Sequence, residues 1–177
     1  MIGTLQTVPA LTRRDLLAEP VTEALETHRV DDVRVAEIDP DLADTAAFCE
    51  TYQVPLEISA NCVVVAGRRE GRQRVAACVV LATTRADVNN VVRKRLNVRK
   101  ASFLAMEEAV DVTGMEYGGI TPIGLPAEWL VLVDAAVVDI PYVVVGSGVR
   151  RSKIAIPGKA LAALPSAEVV EGLGRPI

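Results

Sequence analysis

The sequence is poor in the residues that most hydrolytic chemistry uses. Among 177 residues there is one histidine, His28. Ser-His-Asp chemistry and metal catalysis both usually draw on histidine, so both are disfavoured. His28, in "ETHRVDD", reads as a solvated helix-end residue. The cysteines, Cys49, Cys62 and Cys78, show no CxxC spacing and read as small buried hydrophobes, not as a zinc site or a disulfide framework. Aromatics make up only 3% although half of the residues are hydrophobic, so the core is to be built from Val, Ala, Leu and Ile. No apolar run approaches the ~20 residues of a membrane helix. The start, "MIGTLQTVPALTRRDLL", lacks a continuous apolar h-region, and a cytoplasmic location without membrane attachment is expected. No GxGxxG stands between a strand and a helix, and there is no P-loop, so a Rossmann reading fails. No lysine occurs between residues 1 and 93. The net charge of −4 argues against a general nucleic-acid coat and leaves a local basic surface open. No metal or cofactor is called for.

What is present suits one domain with a sizeable core. Residues 1–30 read as an appended helical extension, with Leu16, Leu17, Val21 and Leu25 on one side and Pro20 as an interruption or a second start. A strand is expected at 33–38 and a helix at about 42–53, ending before Pro55. Two β-branched runs, 61–66 and 74–81, flank "GRREGR" and predict a hairpin. The spacing predicts an amphipathic helix over 86–96, with Val88, Val91, Val92 and Leu96 inward. A short strand at 101–105 and a helix at 106–114, stopped by Gly114, come next. The runs 129–138 and 141–148 read as buried strands, "SKIAIP" as another, and "GKALAAL" as a last helix; the tail carries no clear signal. Short strands and helices in this order give an α+β (mixed α/β) class.

The segment "TGMEYGGITPIGLP", 113–126, holds four glycines and two prolines with apolar residues between them. Gly118 and Gly119 permit close backbone approach and positive φ, while Pro122 fixes direction and pushes Thr121 towards extended geometry. Such a rigid loop can offer main-chain N–H groups to a carbonyl or oxyanion; its plainer role is a tight turn between core elements. A second glycine cluster, "VGSGVRR", follows later.

These residues carry a resemblance. "TGMEYGGITPIG" resembles the TG-x-x-x-GG-[IV]-[ST]-P-[FIL]-G signature of the YbaK/prolyl-tRNA synthetase-associated domain family, the aminoacyl-tRNA deacylases. Asp134 in "LVLVDAAV", the "VVVGSGVRR" turn, and the helix-then-strand "DTAAFCETYQVPLEISANCVVVAG" are similar to the corresponding family segments, over residues 31 to 165. The resemblance implies a YbaK-like domain over 31–177 with a mixed, barrel-like β-sheet and flanking helices. It implies trans-editing, the hydrolysis of the ester of mischarged tRNA, with aminoacyl-tRNA as substrate and an aminoacyl-tRNA synthetase as a further partner. It places Gly118 and Gly119 as main-chain donors and Asp134 as an orienting group. Tyr117, Ile120, Thr121, Pro122, Gly146, Ser147 and Gly148 become substrate contacts. Arg93, Lys94, Arg95, Arg150, Arg151 and Lys153 become tRNA-phosphate contacts.

The sequence departs from the family at its lysine. Asn61 stands in the lysine's place, as a weakened catalytic counterpart, and Cys62 in that of the following threonine. Asn is neutral and cannot neutralise a phosphate or an oxyanion. One reading keeps a deacylase in which Arg150, Arg151 or Lys153 supplies the charge. The alternative is a non-catalytic binding protein for an aminoacyl-tRNA end or a small ligand, or a structural or regulatory relic of the fold. Cys62 as a thiol nucleophile lacks a histidine to activate it. Trp129, in "EWLVLVD", reads as a core or edge residue in preference to a base-stacking one.

Overall fold

A computed structural model describes residues 2–177. The chain opens with β1 (Thr7–Pro9), two 3-10 turns and α1 (Glu19–Thr27). Pro20 does not interrupt this helix; it lies in the first turn, where a missing N–H forfeits no intrahelical bond. His28 closes the helix. β2 (Arg34–Glu37) follows. α2 (Thr45–Tyr52) ends at Gln53, which adopts a left-handed conformation before Pro55. β3 (Ala60–Arg69) and β4 (Arg72–Leu81) are the expected hairpin, joined by Glu70 and Gly71, both at positive φ.

After β5 (Thr84–Ala86) the single helix expected over 86–96 is a composite. Asp87 accepts from the Asn90 amide, a wide π turn spans Val88–Val92, and α3 covers only Arg93–Leu96. β6 (Ser102–Phe103) precedes α4 (Met106–Thr113), which Gly114 terminates. The run 129–138 changes type midway. β7 (Leu130–Asp134) ends where the Asp134 carboxylate accepts from Ala136 N and so starts α5 (Ala135–Val138). β8 (Val143–Gly146), β9 (Ser152–Ile156) and α6 (Gly158–Ala162) follow, and the tail adds β10 (Ala167–Val170) and β11 (Gly174–Pro176).

The architecture is mixed α/β. A four-stranded sheet runs β1-β2-β9-β8, a five-stranded sheet β10-β7-β4-β3-β6, and β11 pairs with β5. All three are open, so the barrel-like sheet implied by the resemblance is not a closed barrel. Strand alternation sorts the side chains into layers. Val35, Val145, Ile154 and Ile156 of the four-stranded sheet share one core with Val79, Val131 and Val133 of the other. On the reverse face of the five-stranded sheet, Val65, Cys78 and Leu132 are covered by Val92 and Leu96. On the reverse face of the four-stranded sheet, Ala36 and Val144 pack against Phe48 and Cys49 of α2. Trp129 is buried with Val64 and Val75.

Residues 2–30 are packed into this body. β1 pairs with β2, and Leu16, Leu17, Val21 and Leu25 belong to the main core. No helix of the described residues is long and apolar enough to cross a membrane.

Candidate active site

Two glycine-rich segments interlock to make one wall of a pocket. Glu116 N donates to Gly148 O at 2.8 Å, and Gly148 N donates to Gly119 O at 2.7 Å. The backbones lie so close that a Cβ on Gly119 would stand 2.9 Å from Val149 main chain, and one on Gly146 would stand 2.7 Å from Gly119 O. Gly148 has φ +90°, and a Cβ there would meet Ala18 Cβ at 2.4 Å. Only glycine fits this crossing.

The crossing closes a cavity of about 320 Å³. Its floor is the start of β3, Ala60 to Val64. Around it stand Ala43 to Thr45 at the head of α2, the Phe103–Met106 segment with Ala109, the edges Gly118, Ile120 and Gly146, and Lys153. Asn61 lies in the floor and accepts a 2.6 Å hydrogen bond from Thr45 Oγ1.

Lys153, which the sequence offered both as a tRNA-phosphate contact and as one of three cations for the pocket, is only 8% exposed. In β9, Ile154 and Ile156 face the main core, so Lys153 points to the opposite face, towards α2. Its Nζ donates to Ala43 O at 2.9 Å and sits 5.2 Å from the Phe48 ring centre. Among the described residues no carboxylate lies within ion-pair distance of it. Burial pushes its pKa below the ordinary 10.5, opposed by nearby Cys49 and Asp44 and reinforced by Arg150. Magnitudes decide how to read this. Desolvating an ammonium costs several kcal/mol. A charge-assisted hydrogen bond returns about 1.5–3 kcal/mol and a buried cation–π contact about 2. The ammonium is at best break-even for stability, with two donors left over.

The other candidates separate cleanly. Gly118 and Ile120 line the cavity, and among the described residues neither of their amides has a hydrogen-bond acceptor; Gly119 N is committed to Glu116 O at 3.0 Å. Gly119, Thr121, Pro122, Ser147 and Gly148 are buried behind the wall. Ser147 Oγ is used inside its own turn, donating towards Val149 O and Ser152 O and accepting from Ser152 Oγ at 2.6 Å. Thr121 is fully buried, and among the described residues its hydroxyl has no partner. Tyr117 is 61% exposed beside the mouth, as is Phe103 at 67%. Asp134 lies outside the pocket. Its second oxygen accepts from Gly174 N at 2.9 Å, so it ties β11 to the end of β7.

The basic residues also divide. Arg150 donates to Tyr117 O and to Pro40 O, both at 3.1 Å, and buttresses the glycine loop at the mouth. Arg151 reaches back to Asp15 O. Arg93, Lys94 and Arg95 belong to α3 on the far face of the five-stranded sheet, where Arg95 pairs with Glu168. Cys62 lines the pocket, but burial and the neighbouring Cys78 push its thiol far up, which suppresses the thiolate. Cys78 itself is pushed up to about 12 by burial.

The aminoacyl-tRNA editing domain model matches residues 39–164, a span that contains every wall of this pocket. The chain belongs to the aminoacyl-tRNA editing domain family. The match begins at the residue before the Pro40 turn that Arg150 holds. No curated protein sequence matches the chain. Solved structures share the fold. A proposed trans-editing enzyme for prolyl tRNA synthetase superposes with TM-score 0.73 at 21% identity, covering 87% of this chain and 94% of its own. A hypothetical protein gives TM-score 0.77 at 18% identity, covering 89% and 100%. A scaffold used for epitope grafting gives 0.73 at 22%, covering 90% and 97%.

The sequence had named Lys153 as one of three replacement cations. Lys153 lies inside β9, opposite in face to Ile154 and Ile156, whereas Arg150 and Arg151 belong to the turn before the strand. That its face meets the head of α2 is a tertiary fact.

Proposed function

We propose that this editing domain hydrolyses, in trans, the ester bond of mischarged aminoacyl-tRNA. The observation that carries the reading is one cavity in which the Gly118 edge, Asn61 and a buried ammonium converge. The walls formed by Ala60, Cys62, Val64, Ala109 and Ile120 are apolar and suit an uncharged amino-acid side chain. The exposed rings of Phe103 and Tyr117 at the mouth offer faces for the unpaired bases of the tRNA end.

In this reading the aminoacyl group enters the pocket and its ester carbonyl lies by the Gly118 edge. Water attacks the carbonyl carbon, and the oxygen becomes an oxyanion beside preorganised donors. The bond to the ribose oxygen then breaks, that oxygen takes the proton given up by the attacking water, and the free amino acid leaves. Such a site works through positioning and electrostatics, with no histidine or side-chain nucleophile. The resemblance implies that the substrate's own ribose hydroxyl assists.

The test is deacylation of a panel of mischarged tRNAs by the purified chain, beginning with mischarged tRNA for proline, the tRNA of the synthetase named for the similar protein. Hydrolysis of one or a few species, lowered in Gly118→Ala, is expected. Absence of turnover on every species, with the protein folded, would leave a binding protein of the same fold.

A further inference from the structure

The pocket holds a cation that nothing in the fold requires. Lys153 is buried and meets one neutral carbonyl and one aromatic face; among the described residues no carboxylate lies within ion-pair distance, and Asp44, on the pocket rim, acts on it only from farther off. The head of α2 sharpens this. Asp44 is the N-cap of that eight-residue helix, yet its side chain makes no capping hydrogen bond, so the positive end of the helix is open on the same side of the pocket. An ammonium and a helix N-terminus repel each other, and the one carboxylate at that end, Asp44, is exposed and hydrogen-bonds to neither, so a bound anion would relieve both.

We propose that Lys153 is the anion-holding group of this pocket, reaching in from β9 to do what the resemblance assigns to position 61 on β3. Asn61 and Lys153 line the same cavity from two different strands, so the charge has moved between strands while the pocket has kept it. The ammonium takes an anionic oxygen of the substrate, either a non-bridging oxygen of the terminal nucleotide's phosphate or the oxyanion formed at the ester. Its hydrogen bond to Ala43 O orients the group and leaves its other donors for that oxygen. Asn61, held by Thr45, then serves as neutral wall. Small neighbours make the move possible: Lys153 pairs in register with Ala36 on one side and Gly146 on the other.

This inference rests on the editing reading but is testable apart from it. The first arm compares the full chain with Lys153→Met and with the exchange variant Asn61→Lys/Lys153→Asn, on whichever mischarged tRNA the wild type hydrolyses. Lys153→Met should lower kcat/KM by about 100-fold or more, the scale of losing one preorganised donor. The exchange variant should recover to within about tenfold of wild type, because the charge is restored at the same pocket. The melting temperature of Lys153→Met should be unchanged or higher; a lysine kept for structure would show the reverse. Lys153→Met active within about threefold of wild type would overturn the proposal.

The second arm needs no turnover. Adenosine 5′-monophosphate and inorganic phosphate are titrated into the full chain while the amide signals of Thr45, Asn61 and Gly146 are followed by NMR. Shifts that vanish in Lys153→Met support the proposal, even if no tRNA is hydrolysed and the editing reading falls. Loss of hydrolysis in Lys153→Met without any such shift assigns the ammonium to the ester oxyanion. No shift with either probe, together with no dependence of hydrolysis on Lys153, sinks it.

Discussion

Gly148 and Gly119 meet through a 2.7 Å hydrogen bond from the Gly148 amide to the Gly119 carbonyl, across two loops that no regular strand pairing joins. Gly148 is at φ +90° with no room for a Cβ. Gly148→Ala is therefore expected to destabilise the protein by about 1–3 kcal/mol, from strain and the Ala18 clash together. Urea unfolding measures it. A loss below about 0.5 kcal/mol would mean that the loops separate freely and that the pocket wall is not rigid.

The stability contributed or lost at Lys153 has a definite pH sign. Its folded-state pKa lies below the ordinary 10.5, and burial is the main cause. Between the lowered value and 10.5 the unfolded chain binds more proton than the folded one, so stability rises with pH in that window. The groups that face Nζ are Asp44, Cys49 and Arg150. The melting-temperature difference between Lys153→Met and wild type should be largest near neutral pH and shrink as pH approaches 10.5. A difference that stays flat or widens would place the ammonium in a well-solvated site.

Asp134 is expected to act on stability alone. Its two carboxylate oxygens accept from Ala136 N and Gly174 N. Asp134→Ala removes the acceptor of two part-buried backbone bonds and should cost about 1–3 kcal/mol. Hydrolysis per folded molecule should stay within about twofold of wild type, since the residue lies outside the pocket. Thermal melts paired with single-turnover rates separate the two effects. A large rate loss at unchanged stability would return Asp134 to the chemistry.

Cys62 should be a sluggish thiol. Burial and Cys78 raise its pKa, so almost no thiolate exists near pH 7. Alkylation by iodoacetamide, followed by mass spectrometry on the folded chain, should run at least about tenfold slower than on the unfolded chain. Rapid labelling at neutral pH would reopen a nucleophilic role.

Local signals in the sequence were enough for the β3–β4 hairpin, the helix stop at Gly114 and the rigid loop at Gly118 to Pro122. Alternation, a left-handed glycine and a proline each act over a few residues. β10 and β11 were not legible, because they are short and exist through their partners, β10 beside β7 and β11 beside β5. The change from β7 to α5 was hidden inside one apolar run and is set by where Asp134 can cap. At the site, the loop was legible and its division of labour was not. Gly118 and Gly119 look alike in sequence, yet only Gly118 lines the cavity with a free amide. Arg150 and Lys153 stand close together in one basic segment, but only Lys153 lies within β9, on the face that meets α2.

The four-stranded sheet also fixes when the pocket can exist during synthesis. β2 has two neighbours, β1 at the start of the chain and β9 at residues 152–156. Lys153 bonds to Ala43, a separation of 110 positions. A ribosome-bound chain that has exposed β1, β2, the hairpin and even the glycine loop still lacks the strand carrying the charge. Contacts this distant close late and slowly. A nascent fragment is thus an incomplete sheet with an open edge, and the cavity and its cation arrive in the same step.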